Sequence, residues 1–223
     1  MRDRFAGPGS QLERYARVFR CVEINSSFHR PHRPATYDRW SRSVPPGFRF
    51  SLKIPKSITH EARLAGCETQ LEDFLDASSA LGAKRDVLLV QLPPSFAFDD
   101  AIVARFFRAF RARYDGRIAC EPRHATWFTP AGDALLDRFT VARVGADPVV
   151  AGGRSEPGGT RAFAYLRLHG APRMYYSAYA GEALAEIAAS LRSATSPQWC
   201  IFDNTASGAA TGDALSLLEL LRD

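Results

Sequence analysis

The sequence predicts an α/β chain folded as a (β/α) barrel, and three observations carry that prediction. Strand-like and helix-like runs alternate from one end to the other, the pattern of stacked βαβ units on a parallel sheet. About seven strands are spread over 223 residues, close to the length of one barrel domain. No G-x-G-x-x-G or G-x-x-x-x-G-K-[ST] follows the first strand, which disfavours the main alternative, an open doubly wound sheet that binds a nucleotide.

Taken in order, residues 10–19 read as a helix with Leu12, Tyr15, Ala16 and Phe19 on its apolar stripe. Ser10 stands three residues before Glu13, a capping-box signature. Residues 21–28 alternate strictly, with Val22, Ile24 and Ser26 on one face and Glu23, Asn25 and Ser27 on the other, so they read as a strand. Pro31 and Pro34 break the chain before a short helix over 36–43. A strand over 48–54 ends at Pro55, and an amphipathic helix over 67–81 closes at Gly82. Residues 87–92 are a nearly continuous apolar run, as in a strand buried on both faces. The helix over 99–114 begins with acidic residues and ends with basic ones, which suits its dipole. Then come strand 117–123, helix 131–139 and strand 140–146. Residues 147–160 are rich in Gly and Pro and read as a mobile loop. Strand 161–169, helix 181–193, strand 198–204 and helix 212–221 complete the chain.

A 46% hydrophobic composition is enough for one sizeable core, so residues 1–223 read as a single domain. No stretch has the length of a signal peptide or a membrane span, and the expectation is a cytoplasmic protein with no membrane partner. Cys21, Cys67, Cys120 and Cys200 form no C-x-x-C pair and read as buried thiols. The formal charge of +5 leans toward anionic partners without being a nucleic-acid footprint. Only Lys53, Lys56 and Lys84 are lysine among 29 basic residues, so a pair at 53 and 56 hints that an ammonium is wanted there.

In a barrel the chemistry sits where strands end. The strand ends here carry Glu23, Asn25 and Ser27, then Lys53, Gln91, Glu121, Arg123 and His124, and later Asp147, Arg167, His169, Asp203 and Asn204. Buried charges without partners are costly, so charge at nearly every strand end points to a site. Glu23 and Glu121 are carboxylates suited to dividing acid and base work. Lys53 is a possible base, Schiff-base nucleophile or anion ligand. His169 joins them as the fourth catalytic candidate. Arg123, His124, Arg167 and His169 supply fixed polar and cationic groups, while Trp127, Tyr175, Tyr176 and Tyr179 offer aromatic walls, a combination suited to a small anionic molecule. Asn25, Ser27, Gln91 and Asn204 are further ligand contacts. The turn after the last strand, with Asn204, Gly208 and Arg167, is a candidate for phosphate. Glu23, Glu121, His169 and Asp203 are conceivable metal ligands, but no H-x-H or H-E-x-x-H spacing accompanies them, and no metal or organic cofactor is expected.

Six motifs stand in register: residues 22–28 (VEINSSF), 48–55 (FRFSLKIP, followed by Ile58, Thr59 and His60), 91–96 (QLPPSF), 121–127 (EPRHATW), 166–170 (LRLHG) and 202–208 (FDNTASG). Together they resemble the DUF72 family, also called YecE-like. The resemblance implies a TIM-like barrel of unestablished reaction. It also implies a strand before residue 4, so the chain is expected to lack the barrel's first strand. Asp203 and Asp213 stand where the family pattern has Asn, which adds negative charge beside the last strand. The functional expectation is an enzyme (hydrolase, lyase or isomerase) acting on a small anionic or sugar-phosphate-like ligand by acid/base chemistry. The alternatives are a nucleic-acid-binding or repair-associated barrel, tested by a basic stripe outside the mouth, and a non-catalytic sensor.

Overall fold

The computed structural model describes residues 2–149, 153 and 155–222. The chain divides into two compact units, Met1–Cys120 and Glu121–Asp223. Each is a layered α/β assembly with mainly parallel strand pairing.

Unit 1 begins with α1 (Gln11–Ala16), whose capping box is formed: Glu13 N–H donates to Ser10 Oγ at 3.2 Å, and Ser10 N–H to Glu13 Oε2 at 2.6 Å. Strand β1 (Cys21–Ile24) is shorter than the alternation predicts, because Asn25 turns into helical backbone and α2 (Ser26–His29) follows. Asn and Ser side chains compete with strand pairing by bonding locally, and Ser27 Oγ does so, to Ile24 O. Pro34 starts α3 (Pro34–Arg42) at its first helical position instead of only breaking the chain. β2 (Arg49–Lys53) pairs in parallel with β1, Glu23 opposite Ser51, and with β3 (Arg85–Gln91), Lys53 opposite Leu89. Val87, Leu88, Leu89 and Val90 are all fully buried, as the unbroken apolar run requires. The helices α4 (Glu68–Ser79) and α5 (Asp100–Arg111) complete the layer, the second burying Val103, Phe106, Phe107 and Phe110. β4 (Arg117–Glu121) closes the unit at Cys120, and its last residue, Glu121, opens unit 2.

Unit 2 holds α6 (Pro130–Arg138), then β5 (Val141–Arg143) and β6 (Gly145–Asp147) where one strand over 140–146 is predicted. Part of the predicted 147–160 loop is ordered. Gly158–Gly159 forms β7, antiparallel to β5, with Ala142 opposite Gly159. Gly159 takes φ +66°, and a Cβ there would lie 2.4 Å from Val141 O, so only glycine lets the chains approach. Arg143 reinforces the segment by donating to Asp133 Oδ1 at 2.7 Å and to Glu156 O at 3.1 Å. The mobility expected for residues 150–152 and 154 lies outside the described residues. β6, β8 (Ala164–Leu168) and β9 (Gln198–Phe202) form a parallel three-stranded sheet, backed by α7 (Gly181–Ser193) and α8 (Ala209–Leu220).

The described residues therefore hold nine strands where about seven are predicted, the excess arising from the split at Val144 and from β7. Neither unit closes its sheet among the described residues, so the finding is a mixed α/β fold with a mainly parallel sheet. No helix among the described residues is long and apolar enough to cross a membrane.

Candidate functional site

Parallel strands β6, β8 and β9 run side by side in unit 2, so their C-terminal ends emerge together. Arg167 sits next to last on β8, His169 directly after it, and Asp203 directly after β9. Glu121 enters the same cluster from the end of β4 with Arg123 two residues on. These five side chains form one ionic network. Arg167 donates from Nη1 to Glu121 Oε2 at 2.5 Å and from Nη2 to Asp203 Oδ2 at 2.9 Å. Arg123 Nε donates to Glu121 Oε1 at 2.8 Å. His169 Nδ1 lies 3.1 Å from Asp203 Oδ2, while its Nε2 lies 3.5 Å from Glu121 Oε1, an electrostatic contact without a hydrogen bond. The side chains of Arg167, Glu121 and His169 are 1–2% exposed, whereas Asp203 is 17% and Arg123 19% exposed, so those two form the open side.

Burial alone would raise the Glu121 carboxyl, but Arg167, His169 and Arg123 overcome it and hold the group well below its ordinary range. It stays ionised and orients its neighbours. Asp203 is lowered in the same way, burial being outweighed by His169 and Arg167. Burial pushes His169 down, yet the bond to Asp203 and the nearness of Glu121 raise it above 6.5 overall. Two guanidiniums and two carboxylates cancel, so a protonated His169 leaves the cluster one positive charge.

The loop 170–180 is sewn to this cluster. Tyr175 OH accepts from Arg123 Nη1 at 3.3 Å and Nη2 at 3.2 Å, and its ring meets His169 edge-on at 5.5 Å. Tyr175 itself has φ +69°, a left-handed backbone that an aromatic residue rarely adopts. Tyr179 OH donates to Asp147 Oδ2 at 2.7 Å and accepts from Gly170 N–H at 3.0 Å, and burial, then the Asp147 bond, push its phenol upward. Asn204 is fully buried and donates to Asp213 Oδ2 at 2.6 Å and Ser177 O at 2.8 Å. Asp213 also accepts from Tyr179 N–H. Arg167 and Asn204 are thus engaged inside the protein, which leaves Arg123 as the more open cation of the cluster.

Other predicted residues of this unit divide by exposure. His124 caps the turn Ala125–Trp127, its Nδ1 accepting from Thr126 N–H at 3.3 Å. Trp127 is fully buried, a packing position. Tyr176 is 45% exposed with the Arg173 guanidinium 3.9 Å from its ring centre. In unit 1, Lys53 Nζ stands 3.9 Å over the Phe28 ring, whose edge also faces His60 at 4.9 Å. His60 Nδ1 is 2.8 Å from Thr59 Oγ1 in the single π-turn Ser57–Glu61. Ser27 is fully buried and donates to Lys53 O at 2.7 Å, so it latches the turn after β1 to β2. Asn25 Oδ1 is buried without a hydrogen bond. Glu23 is half-buried on β1 and Gln91 is buried at the end of β3. Among the described residues, no group of three His, Cys, Asp or Glu side chains gathers as metal ligands.

Asp203 and Tyr175 are named by the sequence at the barrel mouth without a catalytic or ligand-contact role, and the structure puts both in the cluster. The sequence marks Asp203 as a strand-end charge, a conceivable metal ligand and a departure from the family pattern, and the structure makes it the partner of His169. Tyr175 gave no signal beyond being one aromatic of several, since its position depends on a left-handed backbone.

Comparison with known proteins fits this architecture. The solved structure of a DUF72 family protein from Enterococcus faecalis V583 superposes with a TM-score of 0.81 at 21% identity, covering 96% of this chain and 89% of that one. A DUF72 family protein from Thermotoga maritima MSB8 gives 0.78 at 24% identity, covering 92% and 85%. The UPF0759 protein YecE of Escherichia coli K12 is 36% identical over 87 residues, a stretch that is 39% of this chain and 32% of YecE. The family model described as "Protein of unknown function DUF72" matches residues 4–223, and the chain belongs to that family.

Proposed function

We propose that this chain binds a small anionic ligand beside the unit 2 ionic cluster and acts on it by acid/base chemistry, with His169 and Asp203 handling the proton. One observation carries the reading: an imidazole raised in pKa is held between two carboxylates that stay ionised, its Nδ1 3.1 Å from Asp203 and its Nε2 3.5 Å from Glu121. Asp203 Oδ2, 3.1 Å from His169 Nδ1 and the more open carboxylate, stays ionised and holds the imidazolium by its charge, so His169 is the group that stores and exchanges the proton. Glu121 is then a positioning residue. It fixes Arg123 and Arg167 by charge-assisted hydrogen bonds and keeps His169 charged. The surplus positive charge of the protonated cluster favours an anion, and sugar phosphates or carboxylates are the substrate class that fits.

The test is calorimetric titration of the full chain with a panel of phosphate monoesters and carboxylates, run in two buffers of different ionisation enthalpy. Binding with proton exchange that His169→Gln abolishes is the expected result. Absence of binding by every member at concentrations up to about 1 mM would remove the reading, since that limit corresponds to roughly −4 kcal/mol.

A further inference from the structure

We propose that the Nη1–Nη2 edge of Arg123 is the oxyanion subsite and that Tyr175 keeps it closed until a carboxylate- or phosphate-type ligand displaces the phenol. The inference rests on the anionic-ligand reading above and adds where the anion sits and what guards it. A guanidinium offers parallel N–H groups that match two oxygens of one anion. Glu121 holds Arg123 through Nε, so the plane is fixed and the Nη edge points away from the carboxylate. That edge is filled by one neutral oxygen, Tyr175 OH, shared by both nitrogens at 3.3 and 3.2 Å. Charge-assisted bonds to an anion are shorter and stronger, about 2.7–2.9 Å, so an oxyanion outcompetes the phenol at this edge.

Tyr175 is suited to leave. Its side chain is half-buried, so the phenol has solvent to turn into. The backbone around it stays tied, Tyr175 N–H to His169 O and Ala206 N–H to Tyr175 O, so rotation of the side chain alone frees the edge. His169 faces the Tyr175 ring and places positive charge against the vacated position when protonated. Arg173 lies on the same loop. Glu121 and Asp203 oppose an anion, but both already accept from guanidiniums.

The experiment uses the full chain with inorganic phosphate in one arm and acetate in the other, titrated by calorimetry into wild type, Tyr175→Phe and Arg123→Lys. Removing the competing hydroxyl should tighten binding by about tenfold, and replacing the fork by a point charge should weaken it by a similar factor. The arm that responds identifies the oxyanion. In parallel, 19F NMR of 3-fluorotyrosine-labelled wild type should show the Tyr175 resonance moving on saturation, a readout that does not depend on any variant folding. If wild type binds an anion while Tyr175→Phe binds equally or more weakly and the 19F signal is still, the gate is wrong and the anionic-ligand reading survives. If Tyr175→Phe alone binds, the gate is supported in its strongest form. If no form binds either anion, both proposals fall.

Discussion

Replacing Glu121 by Gln removes one charge from a buried network and leaves the shape intact. Glu121 accepts charge-assisted hydrogen bonds from Arg167 at 2.5 Å and Arg123 at 2.8 Å, and its side chain is 2% exposed. Arg167, 1% exposed, would lose one of its charged partners and keep Asp203. Stranding one member of a buried ion pair costs about 3–5 kcal/mol. The amide oxygen of Gln accepts one of the two bonds, so the lower end, about 3 kcal/mol, is expected. At roughly 2–4 °C per kcal/mol for a chain of this size, the melting temperature should fall by roughly 6–12 °C. The assay is urea unfolding of both proteins at neutral pH, with the midpoint falling and the slope unchanged. A loss below about 1 kcal/mol is what exposed ion pairs give, and it would refute the claim that the Glu121–Arg167 core of this cluster is buried and mutually dependent.

Stability should depend on His169 with a definite sign. Its native pKa is raised, so its contribution is fully present below about 6.5 and is lost as pH rises through the higher native value. The gap in stability between wild type and His169→Gln should therefore shrink from pH 6 toward about pH 9, and a gap constant across that range contradicts the assignment. Gly159→Ala forces a Cβ to within 2.4 Å of Val141 O. Hydrogen exchange at the Thr160 amide, which donates to Val141 O at 3.0 Å, should accelerate, and an unchanged rate would mean that β7 does not need its glycine. Asp213→Ala strips a partner from both Asn204 and Tyr179 N–H, at a cost of about 1–3 kcal/mol. Limited proteolysis should then cut the 170–180 loop faster, and equal cleavage rates would show that Asp213 does not restrain it.

Much of the layered α/β pattern is legible in the sequence because burial on two faces leaves an unmistakable trace. The unbroken apolar run at 87–92 becomes β3, and the Phe-rich stripe of 99–114 becomes the buried face of α5. Local competition is where the pattern misleads. Alternation through Asn25, Ser26 and Ser27 resembles a strand, but their side chains also suit a turn, and α2 forms. Gly158 and Gly159 resemble pure loop, yet their lack of side chains is what lets β7 approach β5. Of the site, Glu121, Arg123, Arg167 and His169 are legible because strand ends are where unsatisfied charge can be functional, and the structure joins them in one network. The pairing of His169 with Asp203 is not legible, since it depends on the parallel register of β8 and β9, which places Leu168 opposite Phe202. Ser27 and Trp127 show the converse: a polar or aromatic residue in a promising motif whose burial serves the fold.

The protonation state of His169 tests the central claim most directly. Titration of 15N-histidine-labelled chain by NMR reads both ring nitrogens at once. The account predicts an imidazolium that persists above pH 6.5, titrates lower in Asp203→Asn, and shifts when inorganic phosphate is added. A neutral His169 at pH 6.5, with nitrogen shifts indifferent to Asp203→Asn and to phosphate, would contradict it.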